Sequence, residues 1–141
     1  MQLTRAADYA CRVMVHLAGL PSGSRASLPA LAGAVEVPEQ FLSKVLQMLG
    51  RSGLIQSQRG ASGGFELAAD PEAVSLLDIV EAVEGPMQLN ICLGPGDGCV
   101  RTSRCAIHSV WVDAQAALVQ VLRAATIGKL ARAPGGDAIW R

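Results

Sequence analysis

Three cysteines and a histidine fall close together in the second half of the chain. Cys92, Cys99 and Cys105 share one short segment, His108 follows shortly after them, and the fourth cysteine, Cys11, is remote. Thiolates and imidazole nitrogens are ligands of zinc and of iron–sulfur clusters. Glycines and a proline between the first two cysteines let the backbone wrap closely around a bound group. The segment is therefore a candidate metal or iron–sulfur site.

Length and composition limit what surrounds this segment. The chain has 141 residues, of which 50% are hydrophobic, so it can bury one ordinary core but not two full domains. It shows neither a signal segment nor an apolar run of membrane-spanning length, which predicts a cytoplasmic protein with no membrane partner. In a reducing compartment, closely spaced cysteines more often hold a metal or sense redox state than form disulfides.

The first half of the chain predicts three helices and then a hairpin. Thr4 can cap a helix that ends before Leu20, and Ser27 can cap a second helix from Leu28 to Ala34. A third helix opens after Pro38 and ends at Ser52. Its predicted buried stripe consists of Phe41, Leu42, Val45, Leu46 and Leu49. Residues 54–58 and 65–67 alternate like two strands around a glycine-rich turn, which predicts a β-hairpin wing.

Two short helices, a turn and a wing are the layout of a winged helix-turn-helix, which binds double-stranded DNA. Net charge is +0 over the whole chain, yet basic side chains outnumber acidic ones in residues 1–60. Amide, hydroxyl and cationic side chains on the third helix have the chemistry for reading base edges. The predicted DNA-binding residues are Pro38, Glu39, Gln40, Phe41, Ser43, Lys44, Arg51, Arg59, Gly60, Ser62 and Gly63.

The second half predicts three more helices. Ser75 and Asp78 form a capping box for a helix from Leu76 to Glu84, a long helix runs from about Ser103 to Ala125, and a short one covers 127–133. The long helix is too apolar for a monomer, which predicts a homodimer that binds a palindromic site. The predicted organisation is a DNA-binding domain at 1–84, a cysteine loop at 85–108, a dimerisation region at 109–133 and a mobile tail at 134–141.

These features together resemble the Rrf-type winged-helix transcription regulators. The resemblance covers nearly the whole chain and rests on residues 1–4, 8–10, 53–65 and 126–130 together with the three cysteines. It implies a homodimer whose affinity for DNA depends on an iron–sulfur cluster, with Cys92, Cys99 and Cys105 as ligands. It further implies that Arg59 and Gly60 enter the minor groove and that residues 38–44 enter the major groove.

The resemblance leaves the fourth ligand and the cluster type open. His108 matches the choice of IscR-like members, and Asp8 matches the aspartate that NsrR-like members supply from the other subunit. Cys105 and His108 are spaced to share one face of a predicted helix, which favours His108. The interval between Cys92 and Cys99 is longer than in IscR-like members, so both a 2Fe-2S and a 4Fe-4S cluster stay open.

Other functions are compatible with the same residues. Three thiolates and an imidazole also form a closed tetrahedral zinc site, so a zinc-stabilised DNA-binding protein is one alternative. A cluster-free regulator that senses redox state through its thiols is another. A thiol oxidoreductase or hydrolase using Cys99 or Cys105 is disfavoured, because the chain has no Cys-x-x-Cys pair and no evident His–Asp arrangement near a nucleophile. We therefore predict that the protein is not an enzyme.

Overall fold

The structure is a computed structural model that describes residues 2–96 and 99–134. Its helices are α1 (Arg5–Gly19), α2 (Leu28–Val35), α3 (Glu39–Arg51), α4 (Leu76–Glu84), α5 (His108–Ala124) and α6 (Ile127–Ala131). Its two strands are β1 (Ile55–Gln58) and β2 (Gly64–Leu67), and two 3-10 turns cover Ile91–Leu93 and Thr102–Arg104. The predicted class, mainly helical with a two-stranded wing, is confirmed. Most of the expected tail, residues 135–141, lies outside the described residues.

Local capping explains where several helices begin. The Thr4 side chain accepts a hydrogen bond from the backbone N–H of Ala7, and Ser27 does the same for Ala30. Both contacts satisfy donors that a helix start otherwise leaves unpaired. The capping box of Ser75 is also present, because its side chain accepts from the Asp78 N–H while the Asp78 carboxylate accepts from the Ser75 N–H.

One hydrophobic core joins the DNA-binding half to the C-terminus. Helix α1 packs against α2, α3, α4 and α6, and its buried side chains include Val13, Met14 and Leu17. Ile127 of α6 is fully buried in the same core. The short last helix is thereby held against the first one, although α5 separates α6 from the rest of the core in sequence.

The structure corrects three details of the predicted elements. Phe41 does not belong to the buried stripe of α3, because 60% of its surface is exposed. Helix α5 begins at His108, not near Ser103, since a 3-10 turn occupies Thr102–Arg104. Helix α6 ends at Ala131, two residues before the expected end. The first correction enlarges the exposed apolar surface of α3.

None of the helices in the described ranges combines the length and the hydropathy that crossing a bilayer requires.

Candidate DNA-binding surface and cysteine segment

Helix α3 presents one face to solvent because its opposite face is buried in the core. Leu42, Val45, Leu46 and Leu49 are buried. The predicted readers on the other side are exposed or, for Ser43, partly exposed; they are Pro38, Glu39, Gln40, Phe41, Ser43, Lys44 and Arg51. Such a face has the donors and acceptors that base edges and phosphates require.

The wing places its predicted residues at the tip of an antiparallel hairpin. Strands β1 and β2 pair from Ile55 with Leu67 to Gln58 with Gly64. Arg59 and Ser62 are exposed in the connecting turn. Gly60 has φ +111, and a Cβ at Gly63 would lie 2.2 Å from the carbonyl oxygen of Gln58. Both positions therefore require glycine, because an L side chain would strain the first and collide at the second.

A network that sequence reasoning missed fixes the wing to the rest of the domain. Glu66 of β2 accepts from Gln56 at 2.8 Å and pairs with Arg25, whose Nε lies 3.3 Å from the same Oε1. Ala26 also forms an isolated bridge with Phe65. These contacts tie the loop before α2 to the second strand, and they hold the wing at a defined angle to the helices.

The structure places the cysteines in irregular segments and does not draw them together. Cys92 lies in the first 3-10 turn, the carbonyl of Cys99 accepts from the Thr102 hydroxyl at 2.8 Å, and Cys105 follows the second turn. All three are free thiols of intermediate burial. Within residues 2–96 and 99–134, no three side chains of His, Cys, Asp or Glu are arranged as a metal site.

The chemistry of the donor set nevertheless fits a cluster or a zinc ion. The Nδ1 atom of His108 is buried and has no hydrogen-bond partner within the described part of the chain. A buried ring nitrogen without a partner is costly, and a metal bond would satisfy it. The three thiols have no disulfide partner among the described residues. These four side chains carry the donor atoms that such a group requires.

The two candidate fourth ligands lie in different surroundings. Cys105 lies before α5, which begins at His108, so the prediction that both side chains share one helical face is wrong. The carbonyl of Cys105 accepts a hydrogen bond from the His108 N–H at 3.1 Å. Asp8 is on α1, where its Oδ2 lies 2.8 Å from Nη2 of Arg12. The Asp8 carboxylate would have to leave or share this ion pair to reach a metal.

Comparison with known proteins identifies the chain. The model of the Rrf2 family, described as iron-dependent transcriptional regulators, matches residues 3–133. The chain belongs to the Rrf2 family. This Rrf2 protein is 32% identical over 131 residues to the transcriptional regulator NsrR of Shouchella clausii, covering 92% of this chain and 88% of the relative. It is 29% identical over 130 residues to IscR of Vibrio vulnificus, covering 92% and 77%.

Solved structures support the same fold. CymR of B. subtilis, the global cysteine regulator of that organism, matches with a TM-score of 0.75 and 26% identity over 93% of this chain and 96% of that one. The family and its named relatives are transcriptional regulators. This Rrf2 protein is therefore a DNA-binding transcription regulator and not an enzyme.

The network around Glu66 was invisible in the sequence for a simple reason. Arg25 and Glu66 are far apart along the chain, and neither belongs to a local motif. The only available signal was an acidic residue at a strand position expected to face away from the core, opposite a glutamine at position 56.

Proposed function

We propose that this Rrf2 protein is a cytoplasmic homodimeric regulator whose affinity for operator DNA is set by an iron–sulfur cluster bound to Cys92, Cys99 and Cys105. The observation that carries the proposal is the combination of three free, half-buried thiols with the unpartnered Nδ1 of His108. The family description and the relatives named NsrR and IscR support it. When bound, the cluster supplies an iron centre that responds to oxidants and small ligands.

The protein's own residues supply the DNA-binding part of this function. The exposed face of α3 enters the major groove, where Gln40 and Lys44 meet base edges or phosphates. The wing carries Arg59 to the minor groove, with Gly60 allowing a close approach. A dimer presents two such units, which suits a palindromic operator.

Helix α5 supports the dimeric state. It has no buried residue in the single chain, and Val110 and Val121 expose 59% and 67% of their surfaces. A long helix with that much exposed apolar surface is stabilised by pairing with a second copy. The cysteine segment immediately precedes this helix, so a group bound there would act next to the dimer contact.

The test is anaerobic purification followed by an absorption spectrum and by iron, sulfide and zinc analysis. We expect coloured protein with iron and sulfide in equal amounts. Replacing Cys92, Cys99 or Cys105 singly by serine removes the colour, whereas Cys11→Ser, the matched control, keeps it. Colourless protein with one zinc per chain would instead identify the zinc-stabilised alternative.

A second candidate function is a cluster-free regulator that responds through its thiols. The structural likeness to CymR favours it. If this candidate is right, metal-free protein binds the operator tightly when reduced and weakly after mild oxidation, or the reverse. The cluster hypothesis expects metal-free protein to be insensitive to the same oxidant in a reversible titration.

A further inference from the structure

A cavity of about 260 Å³ lies between the first turns of α1 and the side of α3 that carries Phe41, Val45 and Met48. Its floor is apolar and consists of Ala6, Tyr9, Phe41, Val45 and Met48. Pro38, at the start of α3, also lines it. Phe41, which the predicted stripe had placed in the core, is part of this lining and has most of its surface exposed. An apolar cavity of this kind is the usual form of a small-molecule site, and its size is just below the roughly 300 Å³ at which such sites commonly begin.

The charges around the cavity are all of one sign. Arg5 and Lys44 line it, and none of its lining residues is acidic. Neither cation has an ion-pair partner among the residues that the structure describes. An apolar floor beside two uncompensated cations matches a molecule that has an apolar body and one anionic group, since Arg and Lys both form charge-assisted hydrogen bonds with a carboxylate.

We infer that this cavity binds a small carboxylate with an apolar ring or short chain, and that its occupancy lowers the affinity for DNA. Lys44 and Phe41 belong both to the cavity and to the face of α3 that is proposed to meet the operator. A ligand carboxylate on Lys44 competes with a DNA phosphate or base edge for the same ammonium group. The binding part of this inference is independent of any cluster, and only its effect on DNA rests on the proposed role of α3.

Two other occupants fit the cavity less well. A DNA phosphate would satisfy the cations but would leave the apolar floor exposed to water. The cysteine segment of a second copy offers the exposed side chains of Ile91 and Ile107, but Arg101 and Arg104 outnumber its single acid, Asp97. That segment would therefore bring net positive charge towards Arg5 and Lys44, which is unfavourable.

The binding test uses the full chain without DNA. Phenylacetate, indole-3-acetate and octanoate are titrated, each beside its uncharged amide, while the methyl resonances of Ala6, Val45 and Met48 are followed by NMR. We expect saturable shifts with at least one acid and a dissociation constant roughly tenfold or more higher for its amide, the size of a lost charge-assisted hydrogen bond. Arg5→Gln should weaken binding of the acid by a similar factor. Arg123→Gln on α5 removes the same charge away from the cavity and should leave the affinity for the acid unchanged.

A second variant tests the space in the cavity and leaves its two charges in place. Ala6→Leu fills the floor while keeping a good helix former, and it abolishes the shifts of Val45 and Met48 with little change in the melting temperature. Operator binding is then measured at matched salt with and without the acid. The acid lowers the affinity of the wild type, whereas Ala6→Leu no longer responds.

Several outcomes would overturn the inference. They are the absence of cavity shifts with all three acids, equal binding of acid and amide, an unchanged constant in Arg5→Gln, or shifts confined to α5. Binding that leaves the operator affinity unchanged would refute the proposed effect on DNA.

Discussion

Oε1 of Glu84 accepts a hydrogen bond from the backbone N–H of Thr4 at 2.7 Å. Glu84 is the last residue of α4 and leads directly into the cysteine segment, while Thr4 caps α1. Helix α1 packs in turn against α3. The contact therefore joins the end of α4, which leads into the cysteine segment, to the helix that supports α3. If the cysteine segment changes as proposed, this contact provides a route to the proposed DNA-binding face.

We predict that Glu84→Ala weakens this link without unfolding the protein. The bond is exposed, so the free energy of unfolding should fall by only about 0.5 to 1.5 kcal/mol. The ratio of operator affinities between cluster-loaded and cluster-free protein should shrink, as measured by anaerobic titration. Glu84→Gln keeps an oxygen acceptor and serves as the control. An unchanged ratio in Glu84→Ala would show that the contact carries no signal.

A second prediction concerns the fourth ligand. His108→Ala removes the unpartnered Nδ1, and Asp8→Ala releases Arg12 from its ion pair. We expect His108→Ala to change the spectrum of the reconstituted cluster and to speed its loss, because His108 is close in sequence to Cys105. Asp8→Asn is the matched control for charge alone. A perturbed spectrum in Asp8→Ala with an unchanged one in His108→Ala would assign the ligand to Asp8.

Substitutions on α3 and on the wing should change operator binding in two different ways. Gln40→Ala on α3 should change base preference by about 1 to 3 kcal/mol at one operator position, because it removes the proposed contact with a base edge. Arg59→Ala at the wing tip should weaken binding more broadly and reduce the salt dependence of the affinity. Both are measured by titration of operator variants at several salt concentrations. Unaltered affinity in both variants would refute the assignment of this surface.

The reactivity of Cys11 should depend steeply on pH. Burial raises the pKa of the Cys11 thiol to about 11 from 9.0, and the charges of Asp8 and Glu84 add to the effect. Since the thiolate is the reactive form, alkylation near pH 8 should be about 100-fold slower than for an ordinary thiol and should accelerate as pH rises towards 11. The measurement uses the variant with Cys92, Cys99 and Cys105 replaced by serine.

The same variant unfolded in urea is the control for Cys11, because unfolding removes the burial. Equal alkylation rates in the folded and unfolded states would contradict the assigned environment.

The dimer prediction is tested on α5. Val121→Glu places a charge on an exposed apolar side chain of this helix and should shift the protein towards monomers in sedimentation experiments. Gln120→Glu adds the same charge at a neighbouring position that is already polar. Gln120→Glu should stay dimeric. If Val121→Glu stays dimeric as well, α5 does not form the dimer contact.

The sequence by itself determined the features that depend on neighbouring residues. The caps at Thr4 and Ser27, the capping box of Ser75 and the hairpin around Gly60 all appear where the pattern predicted them. Each depends on hydrogen bonds between residues that are close together in the sequence, so the local sequence is enough to specify it. The winged helix-turn-helix follows from the order of these elements.

Tertiary structure decided what depends on contacts between distant segments. Phe41 lies at the edge of the apolar stripe of α3, and only the packing of α3 against α1 determines that it faces the cavity and not the core. The pairing of Arg25 with Glu66 and the contact of Thr4 with Glu84 also join remote positions. Periodicity specifies which residues share a helix face, but the orientation of that face depends on how the helices pack, and this is set by the whole core at once.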